Sequence, residues 1–135
     1  MNIFCLNRFK EVFEDLNKKK PYKTLESEVI NYFFNREFNS LLSGTRLNNS
    51  AVEPYIKKRF EGSGGFRIYF LAVIKTECIY LMFVHPKTGP SGSDNITDES
   101  KALIYKEVLA AIKSNDLFEL TLSEDGCRIE FTKAK

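Results

Sequence analysis

Hydrophobic positions along this chain change period three times, from helical to alternating, back to helical, and then to alternating again. Phe9, Val12, Phe13 and Leu16 fall at the i, i+3, i+4, i+7 spacing, which predicts a first helix capped by Asn7 and ending near Lys18-Lys19-Lys20, ahead of Pro21. Leu25, Val29, Tyr32 and Phe33 form the stripe of a second helix, with Thr24 as its cap and Glu26 and Glu28 near its positive end. From Asn39 to Ser50 the chain is polar and turn-rich and reads as a loop. After Pro54 the period falls to two. Tyr55 to Phe60 places Ile56, Lys58 and Phe60 on one face and Tyr55, Lys57 and Arg59 on a second face that reads as solvent-facing.

Gly62-Ser63-Gly64-Gly65 tolerates positive φ and suits a hairpin loop into Phe66 to Ile74. In that strand Phe66, Ile68, Phe70 and Ala72 share a face, opposite Arg67 and Tyr69. Lys75-Thr76-Glu77 turns the chain into Cys78 to Val84, an almost wholly apolar run expected at the centre of a sheet. His85 ends it. A Gly/Pro/Ser loop over 86–95 precedes a third helix starting at Asn95 or Thr97, with Ile104, Val108, Ala111 and Ile112 as its stripe. Leu117 to Leu122 and Cys127 to Phe131 then alternate about Glu124-Asp125-Gly126 as a terminal hairpin. The sum is an α+β fold in one domain over residues 1–135. It has two N-terminal helices, an antiparallel sheet of three central strands, a third helix and a C-terminal β-hairpin.

Composition supports a real core: 135 residues, 43% hydrophobic and 13% aromatic. The 20 basic and 18 acidic residues leave a net charge of +2, so a polyanion partner has to be argued from local clustering. Cys5, Cys78 and Cys127 are odd in number and widely spaced, which argues against a disulfide framework or a zinc site and for a reducing cytoplasm. The longest clean apolar run, Ile79 to Val84, falls far short of the roughly 20 residues that cross a bilayer, so no membrane association and no cofactor are expected.

Several local motifs are decoys. Lys87-Thr88-Gly89 and Ser93-Asp94-Asn95 match two signatures of penicillin-binding enzymes, but no Ser-x-x-Lys exists and the two stand in the wrong order. The glycine run lacks the Lys-Ser/Thr that a phosphate-cradling loop requires. Cys78 and His85 stand at opposite ends of one strand, about 20 Å apart, too far for a nucleophile–base pair. What remains is a set of cations on segments expected to pair: Lys57, Lys58, Arg59, Arg67, His85 and Lys87, with Tyr69 among them. RNA cleavage without a metal needs a base for the 2′-hydroxyl, cations for the phosphorane charge and an acid for the leaving oxygen. These residue types suit those roles. On the opposing view, Lys57, Lys58 and Arg59 only solubilise an edge strand.

The series Ile56-Lys57-Lys58-Arg59, then Gly64-Gly65-Phe66-Arg67-Ile68-Tyr69, an apolar strand, His85-Pro86-Lys87 and a closing helix resembles the RelE/ParE superfamily of toxin–antitoxin toxins, over roughly residues 51–112. YhaV-like toxins carry a similar Gly-x-Tyr-Arg-aliphatic-Phe run. The resemblance implies a RelE-like fold and an mRNA interferase, a ribosome-dependent endoribonuclease held inactive by an antitoxin that covers the basic face. It implies Arg67 at the scissile phosphate, Lys57, Lys58 and Arg59 along the RNA, Lys87 as a further cation, and His85 as acid or base, with Tyr69 in the same group. The chain departs from that pattern in its terminal hairpin, where some members end in a catalytic Tyr or His-Tyr pair. The rivals are a ParE-like toxin that blocks a topoisomerase and an RNA- or protein-binding module without catalysis.

Overall fold

Phe66–Val73 is apolar on one face and mixed on the other, yet every residue from Phe66 to Ala72 is buried, so the strand requires cover on both sides. The computed structural model, which describes residues 1–61, 65–86 and 96–135, shows how both covers are built. The strands are β1 (Asn2–Cys5), β2 (Thr45–Arg46), β3 (Tyr55–Phe60), β4 (Phe66–Val73), β5 (Cys78–Pro86), β6 (Phe118–Leu122) and β7 (Ile129–Lys133). They form one sheet in the order β2-β3-β4-β5-β1-β6-β7, antiparallel throughout except for the parallel pair β1–β5. Helices α1 (Asn7–Asn17) and α2 (Leu25–Val29) contribute to a core with Ile56, Ile68, Phe70 and Leu81, while α3 (Asp98–Ser114) packs with Tyr55, Tyr69, Leu71 and Met82.

The α+β class stands, but the sheet of three central strands is corrected to a mixed sheet of seven. The physical reason is β1, a four-residue strand too short to show a period. It takes the exposed edge of β5 on one side and pairs β6 on the other, so the terminal hairpin joins the central sheet. The loop expected over residues 39–50 is corrected too. Its first residues continue a 3-10 turn (Phe38–Leu42), and Thr45–Arg46 pairs β3. Gly44, at φ +126°, makes that entry: a Cβ there would stand 2.9 Å from Ile56 Cγ2 and 3.0 Å from the Lys57 carbonyl oxygen. Gly44→Ala is therefore expected to destabilise the fold by roughly 1–3 kcal/mol, read as a lower urea midpoint. An unchanged midpoint would mean that β2 contributes nothing to stability.

Helix signals were legible in part. Asn7 is the first helical residue and not the cap; its amide donates to Glu11, and Leu6 holds the cap position. Thr24 does precede α2, but its hydroxyl donates to the Glu28 carboxylate and not to the helix backbone, and α2 runs on through a π turn, Ile30–Phe34. Thr97 caps α3 as expected, its hydroxyl accepting from the Ser100 N–H at 3.1 Å, with Asp98 and Glu99 in the first turn. The helix ends on Asn115 in the left-handed region, φ 59°. Residues 62–64 of the glycine run and 87–95 of the Gly/Pro/Ser loop, Lys87 included, lie outside the described residues. Among the described residues, no helix is long and apolar enough to cross a membrane.

Candidate functional site

Pairing register brings the sequence candidates together. Arg59 stands opposite Arg67, and Arg67 opposite His85, so two guanidiniums and an imidazole form one row across β3, β4 and β5. The next row is Lys57, Tyr69 and Phe83. Both rows lie on the α3 side of the sheet, because Phe66, Ile68 and Phe70 turn the alternate positions of β4 into the opposite core.

His85 reaches this face through an irregularity the sequence does not announce. Tyr69 pairs Phe83 and Phe70 pairs Leu81, so Met82 is an extra residue on β5, a β-bulge. Before the bulge Ile79 and Leu81 face the α1 side; after it Val84 does. Strict alternation from Leu81 would have put Phe83 and His85 on the α1 side, away from Arg67. Bulges are common beside active sites because they re-aim a side chain in this way.

The face expected to be solvent-facing is largely covered. Tyr55 is buried and donates to the Lys101 carbonyl at 3.1 Å, and Lys57 is buried; Arg59 remains exposed. The cover is α3, whose stripe needs an apolar surface and finds Tyr55, Tyr69 and Leu71. Arg67 and His85 are also nearly covered, at 3% and 8% exposure. Low exposure fixes such side chains and weakens the solvent screening of their charge. Tyr69 is fully buried, its ring centroid 6.4 Å from that of Phe83, which lies 5.8 Å from His85. Burial raises the Tyr69 phenol above its usual range, against the opposing pull of Arg67, the Ile96 backbone and Arg59. So placed, Tyr69 stands in the row next to that of Arg67, on the same face of the sheet. Lys58 belongs elsewhere: it points to the α1 side, its ammonium 5.1 Å from the Tyr32 ring, a ring that also carries Arg36 at 4.7 Å.

Lys57 reports that the positive charges act on one another. Desolvation, then Arg59, Lys101 and Arg67, pull its pKa below the ordinary 10.5. Sequence reasoning missed Lys101, because no local signal places α3 over the face carrying Tyr55 and Lys57. Because the folded chain gives up the Lys57 proton more readily than the unfolded chain, this group makes stability rise with pH in the window just below 10.5. The difference in unfolding free energy between wild type and Lys57→Met should therefore shift in favour of wild type as pH climbs through that window. Urea titrations across alkaline pH check it, and a pH-independent difference would show that Lys57 senses no such cluster.

A cavity of about 600 Å³ opens beside the row, where β1 stops opposite Leu81 and, among the described residues, the end of β5 has no strand partner on that side. Its walls include Val12, Leu16, Tyr22, Phe83, His85 and Ile104, and Arg8, Glu11, Asp15 and Lys19 also border it. Among the described residues no three His, Cys, Asp or Glu side chains converge as a metal site. Cys5 is buried and its thiol pushed up to about 12 by desolvation, which makes it inert as a nucleophile near neutrality.

No family model, curated protein or solved structure matches this chain.

Proposed function

We propose that this chain is the toxin of a toxin–antitoxin pair, a metal-independent endoribonuclease that cleaves mRNA on the ribosome. The observation that carries the reading is the Arg59–Arg67–His85 row, in which register and the Met82 bulge bring a histidine to two guanidiniums on one sheet face. In the reaction the 2′-oxygen attacks the adjacent phosphorus and loses its proton, the P–O5′ bond breaks, and the departing 5′-oxygen takes up a proton. The products are a 2′,3′-cyclic phosphate and a 5′-hydroxyl. Arg67, fixed between its two neighbours, stabilises the charge that grows on the phosphorane, and Arg59 holds the phosphate from the exposed end. His85 is the proton-transfer group, because an imidazole exchanges protons near neutral pH. Lys57 extends the anion-binding face, Lys87 joins Arg67 in stabilising charge, and Lys58 is assigned to RNA contacts on the other side of the sheet. The antitoxin is a short chain whose acidic or amphipathic segment covers this cationic surface.

The test is tightly induced expression of wild type and Arg67→Ala, with growth followed and mRNA 5′ ends mapped in arrested cells. Arrest with new ends at codon spacing, lost in the variant, is expected. Arrest with intact mRNA would replace this reading by a ParE-like block of a topoisomerase. RNA affinity without arrest or cleavage would leave a binding module.

A further inference from the structure

We infer that the cleft between β3, the 46–48 segment and α3 is a nucleobase subsite, which stacks one base of a single-stranded RNA on Tyr105. This rests on the RNA-cleaving reading above and extends it to how the strand is held beside the reacting phosphate.

Tyr105 is half-buried, and its ring packs against Tyr55 with centroids 5.5 Å apart and planes 15° from parallel. Tyr55 is itself fixed, by its hydroxyl on the Lys101 carbonyl and by burial. The pair therefore presents a rigid aromatic shelf, and the part of Tyr105 that Tyr55 does not cover borders a cleft of about 500 Å³. That volume lies in the range of small-molecule sites. The opposite wall is also preorganised. The Asn48 amide donates to the Glu53 carbonyl and accepts from the Tyr55 N–H, both at 3.0 Å, which closes the turn that carries Leu47 into the cleft. Rigid walls reduce the ordering cost of binding.

Position makes the ligand a nucleotide. Tyr55, Lys57 and Arg59 follow at two-residue steps on one strand face, about 7 Å apart. That step is comparable to the spacing of nucleotides in an extended single strand. A phosphate at the exposed Arg59 thus places the next nucleotide at the mouth of the cleft, where Lys101 and Tyr105 are partly exposed while Lys57 lies beneath α3. Lys101 sits one helical turn before Tyr105, lines the same cleft and acts electrostatically on Lys57, so it joins shelf to row. The charged groups of the cleft are Arg46, Lys101 and Asp98, the last 3.6 Å from Lys101. This near-balance suits a neutral base, with the backbone charge left to Arg59. Stacking of this kind tolerates any base, since every base has a π-face.

The experiment is fluorescence anisotropy with a short labelled single-stranded RNA, 2′-O-methylated throughout so that it cannot be cleaved, titrated at several salt concentrations. Tyr105→Leu keeps an apolar side chain on Tyr55 but removes the planar ring, and should weaken binding about tenfold with the salt slope unchanged. Tyr105→Phe should bind as wild type, and one abasic position in the RNA should reproduce the loss and make wild type and Tyr105→Leu equal. Arg67→Ala should weaken binding and flatten the salt slope. If Tyr105→Leu binds like wild type while Arg67→Ala does not, the subsite is overturned and the nuclease reading stands. Wild type that neither binds this RNA nor cleaves mRNA on ribosomes would overturn both.

Discussion

On the proposed function, replacing Arg67 by alanine is expected to slow mRNA cleavage on purified ribosomal complexes by on the order of a hundred- to a thousandfold, the usual cost of removing one preorganised charge stabiliser. The expectation comes from position. Arg67 is central in its row, with Arg59 and His85 as cross-strand neighbours and only 3% of its surface exposed. A charge so little exposed to solvent is weakly screened, and in the proposed reaction it would act strongly on a phosphorane between its neighbours. Arg67→Lys should recover only part of the rate, because an ammonium keeps the charge and loses the planar fork that grips two phosphate oxygens. Urea unfolding of both variants separates chemistry from folding. Single-turnover rates within tenfold of wild type would remove Arg67 from the reacting centre.

Deleting Met82 should cost stability but leave His85 opposite Arg67. Without the extra residue Phe83 follows Leu81 directly, so strict alternation keeps Phe83 and His85 on the α3 side and Val84 on the α1 side, and His85 stays opposite Arg67 in a regular ladder. Met82 is fully buried, and loss of its packing alone costs about 2–5 kcal/mol. Met82→Leu keeps the bulge and nearly the same volume, and should cost less than about 1.5 kcal/mol with cleavage retained. Urea midpoints and cleavage rates of the two variants make the comparison. NMR contacts between His85 and the Arg67 backbone, expected in both variants, report the register directly. A folded deletion variant that loses those contacts would show that Met82 is not the extra residue of β5.

Much of the candidate site was legible because β-strands have a period of two. Arg67 and Tyr69 had to share a face once Phe66, Ile68 and Phe70 claimed the other, and Lys57 and Arg59 followed from the same alternation. The glycine-rich connection after Phe60 made β3 and β4 neighbours, and the 75–77 turn brought in β5. His85 could be placed near Arg67 along the strand, but not on its face. A bulge inserts one residue without a composition signal, and only the pairing register of β4 against β5 reveals it.

The sequence by itself determined the α+β class, the three main helices, the central antiparallel strands and the terminal hairpin, since each carries its own period, caps or turn residues. Tertiary structure alone decided three things. Strand β1 is four residues long, and its identity as a strand comes from the edges of β5 and β6 that it satisfies. The burial of Tyr55 and Lys57 comes from where α3 lands, a long-range packing choice that local alternation does not encode. The meeting of His85 with Arg67 and Arg59 comes from one extra residue in one strand, felt only when that strand pairs with its neighbour.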